Sequence, residues 1–160
     1  MLSVLVNIEQ QRSKELVMAI TQTMCTSFKK ALLDGEMDFS SNTSQSYKIA
    51  LYTNSASLDA TTTVYSTSNE VSGTGYVAGG AALTISPAPT TSGTTAYLSF
   101  SNATWANSTI TARGALIYQT GGTTPAVAVL DFGSDKSTSG TTFQVTFPTA
   151  DDVTAIVRVA

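Results

Sequence analysis

Thr142-Phe143-Gln144-Val145-Thr146-Phe147-Pro148 is the stretch that decides the fold class. Phe143, Val145 and Phe147 occupy every second position, with hydroxyl and amide side chains between them, and Pro148 ends the run because it has no backbone N–H to donate. Successive side chains of a β-strand point to opposite faces, so this alternation predicts a strand with one face turned to a core. The same repeat recurs along the chain. Tyr47, Ile49 and Leu51 alternate with Lys48, Ala50 and Tyr52, and Ala155, Val157 and Val159 alternate with Ile156 and Arg158. Further strands are expected over residues 82–85, 95–100, 109–118 and 126–132, and Phe143, Val145, Phe147, Ile49 and Leu51 are expected to share one interior. Between these runs lie turn clusters: Ser72-Gly73-Thr74-Gly75, Gly79-Gly80, Pro87-Ala88-Pro89, Ser92-Gly93, Gly121-Gly122 and Ser139-Gly140. Six or more short strands so spaced predict a mainly β protein built on an antiparallel β-sandwich or barrel-like domain.

Composition agrees. The 160 residues include 27 Thr, 20 Ser and 11 Gly, with only 12% charged side chains. β-branched hydroxyl residues suit strands, and glycine and serine suit the turns between them. The chain has no histidine, which removes Ser-His-Asp and Cys-His catalysis and imidazole metal ligation. The single cysteine removes intrachain disulfides and thiolate zinc cages. A net charge of -3 argues against direct nucleic-acid binding, which needs clustered cations. No apolar run approaches the roughly 20 residues of a membrane span. The apolar opening Met1-Leu2-Ser3-Val4-Leu5-Val6 lacks basic residues and soon meets Glu9, unlike a signal peptide. The expectation is a soluble, cytoplasm-made, non-catalytic protein with no cofactor and no membrane contact.

The chain divides near residue 40 into an N-terminal arm, 1–39, and a β-sandwich domain, 40–160. Within the arm Leu16, Ile20, Met24, Phe28 and Leu32 recur at a spacing of four, with Lys14, Lys29 and Lys30 off that stripe. This predicts an amphipathic helix opened by Asn7 as N-cap, with Gln10 completing a capping box, and stopped by Gly35. Its apolar face would pack on its own domain or dock on another subunit.

Chemical motifs are weak. Residues 73–80 are glycine-rich, but a strand and prolines follow where a phosphate loop needs a helix, so a glycine-permitted bend is expected. Asp131-Phe132-Gly133 matches a kinase tripeptide in a chain that lacks the histidine of the catalytic loop. Asp131 with Asp135 and Ser134, or Asp151 with Asp152, offer oxygens to Ca²⁺, yet such a site wants six to eight ligands, and solvated loop carboxylates are expected instead. Cys25 reads as a small buried hydrophobe. Trp105 lies in a loop-like stretch, Ser101-Asn102-Ala103-Thr104-Trp105-Ala106-Asn107, as a packing residue or a subunit-contact anchor.

Read in order, several segments form a distinctive string: residues 26–35 (Thr26-Ser27-Phe28-Lys29-Lys30-Ala31-Leu32-Leu33-Asp34-Gly35), 47–53 (Tyr47-Lys48-Ile49-Ala50-Leu51-Tyr52-Thr53), 69–76, 111–118 and 128–133. This string resembles a family of small virion structural proteins encoded by tailed bacteriophages, over about residues 24–160, with residues 1–23 lying upstream as an added arm. The resemblance implies a particle component without enzymatic activity, made in the host cytoplasm and located in the virion, and it carries over no functional residue. The expected function is capsid decoration (a cement protein), with the major capsid protein or other virion proteins as partners and a homo-oligomeric state. Leu16, Ile20, Met24, Phe28 and Trp105 are the expected interface residues. The alternatives are a neck, tail or baseplate-associated structural protein, or a carbohydrate-binding adhesin stacking sugars on Tyr52, Tyr65, Tyr76 or Trp105.

Overall fold

A computed structural model describes residues 19–40, 45–121 and 125–160. Its elements are β1 (Thr23–Met24), α1 (Thr26–Leu33), β2 (Ser46–Tyr52), β3 (Ala81–Leu83), β4 (Thr90–Ser92), β5 (Thr95–Leu98), β6 (Ala103–Thr120), β7 (Ala126–Val145) and β8 (Val157–Val159). They form two antiparallel sheets, one of five strands in the order β1-β7-β6-β2-β3 and one of three in the order β4-β5-β8. Neither closes into a barrel, so the body is a mainly β, sandwich-like domain with one helix at its N-terminal side. Both sheets feed one core: Ile49, Leu51, Leu116, Ile117 and Val129 come from the larger, Leu98 and Val157 from the smaller. Phe100 and Phe147 lie 6.1 Å apart (ring centroids), and Phe100 lies 5.8 Å from Tyr47 on β2. Phe143, Val145 and Phe147 are buried, as their alternation requires.

The strands differ from expectation mainly in length. β6 and β7 make one long hairpin, and the two runs at 126–132 and 142–147 belong largely to a single strand. The polar residues between them, which read as turns, continue the strand because its hydroxyls pair across the ladder. Ser108 Oγ lies 2.9 Å from Thr138 Oγ1, and Thr111 Oγ1 lies 2.8 Å from Ser137 Oγ. Surplus residues are absorbed where the register shifts, near Gly133, Gly140 and Asn107, all with positive φ. Trp105 accordingly sits in β6 opposite Phe143, not in a loop. β4 is an additional strand: Thr90 and Thr91 follow the proline cluster, and Ser92, expected in a turn, ends it.

The expected helix needs the larger correction. Among the described residues it runs over Thr26–Leu33, and Ile20 and Met24 precede it in extended backbone. Met24 pairs with Ala128 at the sheet edge, and Ile20 makes a parallel bridge to Leu58. The N–H of Thr21 donates to the Leu58 carbonyl at 2.8 Å, which holds this stretch out of the helix. Cys25 is the N-cap and makes no side-chain capping bond. The expected stop holds: Gly35, at φ 73°, follows the helix and its N–H donates to the Leu32 carbonyl. Asn7, Gln10, Lys14 and Leu16 lie outside the described residues.

Candidate functional site

The densest polar cluster is built on Glu70, in the long connection between β2 and β3. Tyr65 Oη donates to Glu70 Oε2 at 2.5 Å, while Tyr76 Oη and the Gly79 N–H each donate to Oε1 at 2.7 Å. Tyr76 Oη in turn accepts from the Leu51 N–H at 2.9 Å, and Tyr118 Oη donates to the Gly79 carbonyl at 2.8 Å. Tyr52 Oη donates to the Ser66 carbonyl at 2.5 Å. Glycine permits this close approach. Gly80 has φ 68°, and a Cβ there would run into the carbonyl of Ile49. Burial, reinforced by the Glu70 carboxylate, pushes the Tyr76 and Tyr65 hydroxyls well above the usual tyrosine range, and burial does the same to Tyr52. Chemically this is a clamp: one carboxylate saturated by three donors pins residues 65–79 onto the sheet. The glycine-rich stretch is thus a bend.

The rings proposed for sugar stacking are engaged inside this clamp. Tyr52 and Trp105 are buried. Tyr65 stacks on Tyr118 at 4.7 Å, and Tyr76 stacks on Trp105 at 6.0 Å. Trp105 also meets the edge of Phe143, at 6.0 Å.

The loop carboxylates act locally. Asp131 Oδ1 accepts from the Gly133 N–H at 2.9 Å. Asp135 pairs with Arg113 Nε at 3.3 Å and accepts from Asn54 Nδ2 at 3.2 Å. Asp152 accepts from Ser92 Oγ. Asp151 accepts the N–H groups of Thr154 and Val153, which hold its carboxyl below the ordinary range. Among the described residues no group of three or more His, Cys, Asp or Glu is placed to hold a metal. Cys25 is buried in the core, and burial followed by the charge of Asp59 pushes its thiol up to about 11, an unreactive state.

Of the expected interface residues, those described are largely covered by the chain itself. Leu16 lies outside the described residues, whereas Ile20, Phe28 and Trp105 are buried in the domain and Met24 is half-buried at the sheet edge. Ile20 covers Gly114 so closely that a Cβ there would sit 2.9 Å from Ile20 Cγ2.

Two surfaces that the sequence reading did not single out are more open. One is an apolar groove of about 510 Å³ between the end of α1 and the smaller sheet, lined by Leu32, Met37, Phe39, Pro89, Val157 and Val159. Beside it on α1 stands Leu33, 89% exposed, and Val159 is 58% exposed. The signal was the Leu32-Leu33 doublet: a short helix that buries Phe28 and Ala31 must turn one of two adjacent leucines outward. The other is a groove of about 630 Å³ between β1, β7 and the C-terminal segment. Among the described residues no helix is long and apolar enough to cross a membrane. No protein-family model, curated protein or solved structure matches the chain.

Proposed function

We propose that the chain is a structural protein of a phage particle, a capsid decoration protein that binds the shell through protein–protein contacts and carries out no turnover. The observation that carries this reading is the apolar groove at the end of α1 with Leu33 standing beside it in water. A leucine alone on a surface is ordinary, but an open apolar groove is the kind of surface partners cover, and exposed Leu33 follows directly on its lining residue Leu32. The body behind the patch suits a mechanical role, since its long loop is pinned by the Glu70 clamp and its long hairpin is laced by hydroxyl pairs. The string of segments resembling phage virion proteins supports the setting. Tyr52 and Trp105, buried here, do not favour the adhesin alternative.

Particles depleted of this protein, re-supplied with the purified full chain, provide the test. The native chain should bind saturably and restore resistance to heat and osmotic shock. Leu33→Glu, exposed enough to leave the melting temperature unchanged, should weaken binding at least about tenfold, the loss of about 1.4 kcal/mol. Equal binding by the variant would remove this surface from the contact, and failure of the native chain to bind at all would overturn the decoration role.

A further inference from the structure

We propose that the groove between β1 and β8 receives residues 2–8 of a second copy of this chain as an added strand. This rests on the reading above that the protein works by contacts within an assembly.

β1 and β8 are the outermost strands of their respective sheets, and both line the same groove of about 630 Å³. A strand at a sheet edge offers unpaired N–H and C=O groups to an incoming extended segment. β1 covers only Ala128 and Val129 of the twenty-residue β7, so among the described residues the edge of β7 continues unpaired along Leu130 and Phe132, which also line the groove. Val129, Leu130, Val145 and Phe147 give the groove an apolar part, while Thr23, Thr146, Asp131, Asp152 and Arg158 line it with polar and charged groups. An added strand presents alternate side chains to opposite sides. The fitting occupant is therefore a segment with aliphatic residues at every second position.

Residues 2–8 have that sequence. Leu2, Val4, Val6 and Ile8 alternate with Ser3, Leu5 and Asn7, two of them are valine, and none is charged. Ten residues, Glu9 to Met18, separate this segment from Ala19. Extended, they reach at most about 33–36 Å, roughly the width of a domain of this size, so a neighbour is within range. Gln22, Thr23 and Met24 form one wall of the groove. Upstream of Gln22 the described chain leaves the groove: Ile20 bridges to Leu58, and Ala19 and Ile20 line a separate cavity with Asn54 and Arg113, so the occupant assigned here is a neighbour's segment.

Cysteine cross-linking of the full chain tests the proposal. Chains carrying Val4→Cys are mixed with size-tagged chains carrying Gln22→Cys, an exposed wall position, or Ala160→Cys on the opposite wall, and oxidised mildly. The native Cys25 is fully buried and stays out of the exchange. Leu33→Cys, more exposed but outside this groove, is the control. The expected result is a mixed disulfide dimer at the wall positions forming at least about tenfold faster than at position 33. Equal rates, or no dimer from either wall variant with an unchanged melting temperature, would overturn the proposal. So would a link closing within single chains that carry both Val4→Cys and Gln22→Cys. Native particle binding alongside a failed cross-link would dismiss the exchanged arm alone, and the decoration role would stand.

Discussion

Glu70 shows how a single side chain fixes a loop that has little regular structure of its own. Its two oxygens receive Tyr65, Tyr76 and the Gly79 N–H, and removing the carboxylate strands three donors that burial has cut off from much of the solvent. Glu70→Ala should cost about 2–4 kcal/mol, read as a lower urea midpoint with an unchanged slope. Glu70→Gln keeps an oxygen for Tyr76 and Gly79 and should lose less than half as much. Equal losses would mean that the charge and not the geometry holds the loop. The clamp was not legible in the sequence. Tyr65, Glu70, Tyr76 and Tyr118 show no periodicity, and only the folded chain brings Tyr118 of β6 beside residues 65–79. The positive-φ glycines at 79 and 80 gave the bend but not its partner.

At the scale of elements, the period-two runs located β2 and the end of β7 and the buried Ile49, Leu51, Phe143 and Val145, because a core-facing side fixes the register, while Ala50 and Tyr52 on the other side of β2 are buried as well. The helix of the arm leaves out Ile20 and Met24 for a physical reason. A spacing of four fits a helical turn, but four is also twice two, so Ile20 and Met24 share one side of an extended chain equally well. Thr21 and Thr23, both β-branched, tilt the choice toward extended backbone, and pairing with Leu58 and Ala128 completes it. Ile20 therefore packs within its own domain, over Gly114. Ile20→Asp should destabilise the isolated chain by about 3–4 kcal/mol by burying an unpaired charge, with Ile20→Ala costing about 2–3 kcal/mol. An Ile20→Asp variant that melts normally but fails to assemble would restore the docking stripe. Leu33 is not part of the spacing-of-four stripe, and the eight-residue helix, which buries Phe28 and Ala31, turns it outward.

The whole molecule should be stable over a wide pH range, with edges set by identifiable groups. Burial raises the folded-state values of Tyr47, Tyr52, Tyr65 and Tyr76 above their unfolded value of about 10. A raised value contributes stability that is fully present below about pH 10 and is lost as pH rises toward the folded value. On the acid side, Asp59 and Asp151 are held low, chiefly by hydrogen bonds from Thr61 and Thr154. Their contribution is present above about pH 4 and fades below it, modestly because both carboxyls still reach solvent. Melting temperature should thus hold between about pH 5 and 9 and fall steeply beyond about pH 10, with tyrosinate absorbance rising at unfolding. Full titration of these four tyrosines near pH 10 in the folded protein would contradict the buried network.

The copy number of this chain in purified phage particles, by quantitative mass spectrometry against the major capsid protein, tests the proposed decoration role most directly. Shell decoration requires on the order of hundreds of copies, in a fixed ratio to the capsid protein, because a closed symmetric shell repeats its binding site. About six to twelve copies, the count set by a cyclic neck or tail, or none at all, would contradict it.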